Sequence, residues 1–177
     1  MLCAGQALAN PRAIDVQNSK MTLSVFKQGA FSFLADNHEI DAPIASGSYD
    51  AATKTIEVTV NAAALKVLDP KLSADKRAQV QEAMSGPKVL DVERYPTIVF
   101  RSTSIDETGS HWKIAGNLTL HGETHPIVVD AVQSDETHFT GSAVIRQTNF
   151  GIAPIKIAGG AVSVRDDVKL EFRIALM

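Results

Sequence analysis

A single cysteine, Cys3, is all the thiol chemistry in the 177 residues, so an intrachain disulfide and a thiolate zinc cluster are both excluded. Uninterrupted apolar runs are also missing. No stretch approaches the ~20 residues that a helix needs to cross a bilayer. Charge of one sign is scarce: the formal net charge is −3, and Lys and Arg are scattered rather than clustered. That argues against a nucleic-acid surface or an anionic-membrane patch. No Gly-x-Ser-x-Gly elbow occurs, and no phosphate-binding glycine pattern follows a strand. Low hydrophobicity is not among the deficits. Apolar residues make up 45% of the chain, enough for one domain with a sizeable core.

What is present is alternation of period two, the mark of strands with one buried face. Met21, Leu23 and Val25 share a parity. So do Ile56, Val58 and Val60, and the pair Ile98 and Phe100. Trp112, Ile114, Gly116, Leu118 and Leu120 share one face of a long run. Phe139, Gly141, Ala143 and Ile145 follow the same rule, as do Leu170, Phe172, Ile174 and Leu176. Turn-rich stretches at 50–54, 106–110, 121–126 and 133–137 separate these runs, so the connections are short and the pairing antiparallel. The expected fold is all-β, a lipocalin-like antiparallel barrel of eight strands.

One segment breaks the pattern. Residues 73–84 are rich in helix formers, with Ser73 placed to cap the start and Gly86-Pro87 to end it. Val80, Ala83 and Met84 give the helix an apolar stripe. Residues 1–12 read as a tail. The small apolar run ending Ala7-Leu8-Ala9 is similar to the end of a secretory signal, the alternative being a plain flexible tail. Residues 13–177 form the single barrel domain.

The histidines carry the only candidate chemistry. His121 and His125 flank a turn with Glu123, a spacing open to a metal or to ordinary solvated turn residues. His38, beside acidic residues in Asp36-Asn37-His38-Glu39, is open to a role as base or ligand contact, or to a structural one. No polar groups converge on a recognisable reaction, so the chain is read as a binding protein rather than an enzyme, with no metal or cofactor expected. The small residues Gly116, Gly141 and Ala143 on apolar faces either leave room for a ligand or mark bends.

Several segments resemble the YceI-like family. Residues 90–104 (LDVERYPTIVFRSTS) are similar to its D…(K/R)YPxIxFxST segment, and residues 116–127 (GNLTLHGETHPI) to its GxLT(I/L)xGxTxP(V/I) hairpin. Residues 147–152 (QTNFGI) resemble its RxDFGI, and residues 162–170 (VSVRDDVKL) its closing strand. The matches fall in family order across roughly 13–176. Departures are Asn18 where the family has His, Asn149 in place of Asp, and the 73–84 helix in place of an aromatic-rich lid. The resemblance implies a lipocalin-like barrel that binds a polyisoprenoid, such as a polyprenyl chain or a prenylated quinone, as a carrier or sequestering protein. It also implies a periplasmic or secreted location and homodimers.

With that resemblance the ligand reading of the small residues prevails. The expected pocket wall is Phe31, Phe33, Ile98, Phe100, Trp112, Ile114, Phe139, Ala143, Phe150 and Phe172, with His38 as a polar contact. Gly141 and Ala143 are expected to border open volume. The alternatives are an enzyme acting on an apolar substrate through His38 or the turn histidines, and a stress-response or partner-binding barrel with a filled core.

Overall fold

The computed structural model describes residues 10–29 and 37–177. Twelve strands join in one antiparallel sheet: β1 (Arg12–Ala13), β2 (Lys20–Gln28), β3 (His38–Asp41), β4 (Ile44–Asp50), β5 (Thr55–Asn61), β6 (Lys66–Val67), β7 (Thr97–Thr108), β8 (His111–Leu120), β9 (Glu123–Gln133), β10 (His138–Arg146), β11 (Lys156–Ile157) and β12 (Val162–Ala175). The count is twelve rather than the expected eight, and the causes are local. A turn at 16–18 separates β1 from β2, with the Asp15 carboxylate accepting the Gln17 and Asn18 N–H groups at 3.1 and 3.2 Å. Pro43, which has no N–H to donate, lies between β3 and β4. A single 3₁₀ turn, Ala62–Ala64, capped by the Asn61 side chain, separates β5 from β6. These three broken passes, with β7, β8, β9, β10 and β12, make eight passes, and β11 is a short arm paired only to β12.

Hydrogen-bonded neighbours run β1–β4–β5–β7–β8–β9–β10–β12–β2–β3–β6. Because β1 leads into β2, the order returns on itself. Ile14 bridges Leu176, the Asp15 N–H donates to the Ala175 carbonyl at 2.8 Å, and the Met177 N–H donates to the Ala13 carbonyl at 2.8 Å. The sheet is therefore curled into a barrel. Antiparallel alternation sorts the connections. The tight turns at 51–54, 109–110 and 134–137 lie at one end. Residues 62–96 and 147–161 lie at the other, with the two-residue β8–β9 turn.

That two-residue turn is His121-Gly122, shorter than the expected 121–126. Both residues have positive φ, 52° and 81°, as a type I′ hairpin turn requires. Glycine at 122 is needed twice over, since a Cβ there would also meet the Tyr95 ring at 2.5 Å.

The one α-helix among the described residues, α1 (Ala74–Ser85), starts where the Ser73 hydroxyl accepts the Lys76 N–H and ends where the Gly86 N–H donates to the Glu82 carbonyl. It buries Met84 and packs Val80 against the core. Gln81 fixes its position. Its side-chain oxygen accepts the Val67 N–H at 2.8 Å, and its amide donates to the Leu65 carbonyl at 2.9 Å. One side chain so covers the edge of β6 that would otherwise stand open. Replacing Gln81 with leucine should destabilise the fold by about 1–3 kcal/mol, because it strands part-buried backbone groups. Urea denaturation checks this, and an unchanged midpoint would show that water replaces the amide without loss.

Candidate functional site

The inward side chains of the eight passes do not fill the barrel. They leave a cavity of about 240 Å3 that runs along most of its length. Ile14 and Leu176 lie at the tight-turn end, and Met84, Leu90 and Leu120 at the loop end. Among the described residues none that lines the cavity is charged, and those with polar groups are Ser48, Tyr49, Trp112 and Gln147. The long strands contribute by parity, as with Leu23 and Val25 of β2, Val58 and Val60 of β5, and Ile127 and Val129 of β9. Towards the tight-turn end three rings meet edge to face. Trp112 stands 5.5 Å from Tyr49 and 5.0 Å from Phe139, centroid to centroid. Burial pushes the Tyr49 phenol above its ordinary pKa, and the Glu107 carboxylate adds to this. Its hydroxyl therefore remains a neutral donor at physiological pH.

Six of the expected wall residues line this cavity: Ile98, Phe100, Trp112, Ile114, Phe139 and Phe172. Phe31 and Phe33 lie outside the described residues. Five expectations need correction. Gly141 does not border open volume, because a Cβ there would meet the Phe172 ring and the Asp130 carbonyl. Gly116 is covered in the same way by Phe100. The cause is cross-strand pairing. Gly141 sits directly opposite Phe172, so the ring reaches over the glycine and itself lines the cavity. Ala143 points inward but is packed among Trp112, Ile114, Val129 and Ala131, behind larger neighbours that form the wall.

Phe150 is fully buried, yet it packs among Leu118, Leu120 and Ile152 rather than lining the cavity. It belongs to a 3₁₀ turn (Gln147–Phe150) after β10. The His125 ring meets the Phe150 ring edge-on at 5.3 Å, and His121 Nδ1 lies 3.0 Å from the Phe150 carbonyl, positioned to donate to it. The turn histidines are thus explained by packing. Among the described residues, no three His, Cys, Asp or Glu side chains come close enough to share a metal ion.

His38 is also no part of the wall. Its Nδ1 lies 2.6 Å from Asp69 Oδ2, and the other Asp69 oxygen accepts the Glu39 N–H at 2.8 Å. Asp69 is buried. The pair therefore ties the turn before α1 to β3. The sequence reading missed much of the wall. It passed over Ile40 of β3 and Ala42 beside it, Tyr49 of β4, and Ile127 and Val129 of β9. In β9 the cause is visible: Val128 and Val132 face outward, so apolar residues on both faces hide the alternation.

The description "YceI-like domain" matches residues 13–176. The chain belongs to the YceI-like family. Its relatives include a UPF0312 protein of Pseudomonas aeruginosa, 26% identical over 163 residues, covering 86% of this chain and 81% of the relative. A UPF0312 protein of Pseudomonas syringae pv. tomato is 28% identical over 165 residues, with the same coverage. Among solved structures, BcnA of Burkholderia cenocepacia superposes with a TM-score of 0.66 at 20% identity, covering 91% of this chain and 98% of BcnA. A polyisoprenoid-binding domain from Saccharophagus degradans gives 0.61 at 11% identity, with coverage of 93% and 97%. At these identities the likeness is one of fold. It places the YceI-like barrel of this chain among known β-barrels.

Proposed function

We propose that this YceI-like protein binds an isoprenoid lipid, a polyprenyl chain or a prenylated quinone, inside the barrel as a carrier or sequestering protein. The observation that carries the reading is a cavity spanning the barrel with no charged residue in its wall among the described residues. An apolar chain has nothing to hydrogen-bond there and needs nothing. If it buries ~400 Å2 of its surface, the gain is on the order of 10 kcal/mol before the cost of association. The likeness in fold to a polyisoprenoid-binding domain supports the same class of ligand.

The cavity volume lies just under the ~300–1,000 Å3 usual for ligand pockets. Met21 and Met84 line it, and their unbranched thioethers can repack around an inserted chain. A carrier role without catalysis fits a wall whose described residues offer no carboxylate or imidazole. Export to the periplasm is part of the proposal and rests on the apolar run before residue 10. Native mass spectrometry of the purified protein, followed by organic extraction, tests the ligand. The expected result is a mass excess that disappears on extraction and is recovered as an isoprenoid. A chain that carries no lipid and does not take up geranylgeraniol would overturn the proposal.

A further inference from the structure

We infer that the ligand chain enters sideways, through a seam between β9 and β10, rather than through either end of the barrel; the inference rests on the lipid-binding reading above. β7–β8 and β8–β9 pair along almost their whole length, as far as Leu120 opposite Glu123. The β9–β10 ladder does not. It pairs Phe139 with Gln133 and stops at Ala143 with Val129. Beyond that point β9 still has residues 123–128 paired to β8, and β10 still has 144–146 paired to β12, but no ladder joins β9 to β10. Pro126, which has no N–H, lies in this stretch, as proline does where a strand has a free edge.

The residues at the seam break the barrel's polar-outside rule. Val144 and Val128 face solvent and are 56% and 45% exposed, the largest values among the exposed apolar residues of the strands. The next residues along, Ile145 and Ile127, line the cavity. An apolar surface therefore continues from the outside of the barrel to its interior at the one place where these strands part. Two exposed valines stand across the open ladder. They give a hydrocarbon chain a surface to follow inward.

The two ends offer less. At the tight-turn end the ladder is bridged at Ile14–Leu176 and the side chains of both are buried. At the loop end Met84 and Leu90 are buried under a helix that Gln81 pins to the sheet. Across the seam lies the Phe150 turn, which leans on His125 and His121 of the facing hairpin. The occupant this surface fits is the apolar chain of the lipid itself.

The test uses Trp112, the only tryptophan of the chain, which stands in the cavity wall and reports arrival of a ligand through its fluorescence. In a Cys3→Ser background, Val128→Cys and Val144→Cys are joined with a short bis-maleimide, and geranylgeraniol uptake is followed by stopped flow. Uptake should slow by about tenfold or more on cross-linking. Protein loaded before cross-linking should keep its ligand. Val128→Asp with Val144→Asp should slow uptake by a similar factor and leave the final stoichiometry unchanged. Uptake at the uncross-linked rate would overturn the seam alone. So would failure of the two cysteines to cross-link in the folded protein, since residues facing each other across a seam lie within the reagent's reach. No uptake by the parent would overturn the binding reading itself.

Discussion

Truncating Phe150 to alanine should cost about 3–5 kcal/mol of folding stability, the range for removing a fully buried phenyl ring. Phe150 is 0% exposed and packs into the cluster that contains Leu118, Leu120, Ile152, Met84 and Leu90. The site cannot collapse easily around the loss. β8 holds one side, the His125 ring another, and the His121 hydrogen bond fixes the backbone at the Phe150 carbonyl. The lost ring would also unblock the seam, so the variant should release bound lipid faster than the parent. Urea unfolding gives the stability, and a cost under about 1 kcal/mol would mean that the 147–150 turn is not a structural plug.

Filling the cavity should nearly abolish lipid binding. Val129 faces inward in the middle of β9, paired across to Ile114 and Ala143, and lines the cavity beside Trp112. In Val129→Phe the added ring has only the cavity to enter, because the flanking strands are hydrogen-bonded on both sides. Overpacking should cost about 1–3 kcal/mol, which leaves a folded barrel to assay. Lipid recovered per mole of folded protein should fall to about a tenth of the parent's or less, equivalent to ~1.4 kcal/mol or more of lost affinity when ligand is limiting. Lys113→Ala, an exposed change on the outer face of β8, should alter neither quantity. If folded Val129→Phe carries as much lipid as the parent, the ligand sits outside the barrel.

Both results depend on features that were unequally visible in the chain. The wall was readable wherever one face of a strand is apolar and the other polar. That is why Trp112, Ile114, Phe139 and Phe172 were found by parity. It failed where both faces are apolar, as at Ile127-Val128-Val129, and in β3 and β4, where Pro43 and small residues dilute the signal. The helix was readable to within a residue because caps are local: the Ser73 hydroxyl and the Gly86 break act over one turn. The glycines were misread because what fills the space above Gly141 is a side chain 31 residues further along the chain. The histidines were left open because their partners, Asp69 and Phe150, are 31 and 29 residues away.

By itself the sequence determined an all-β domain with one capped helix, an apolar interior and a YceI-like pattern of segments, since period-two alternation, caps and turns act between near neighbours. The closure of the ladder through Ile14 and Leu176, the laying of Phe172 over Gly141 and the end of the β9–β10 ladder at Ala143 were decided only in the tertiary structure. Each depends on which residues from distant strands come into register, and register is settled when the whole curled sheet packs around its core rather than by any segment alone.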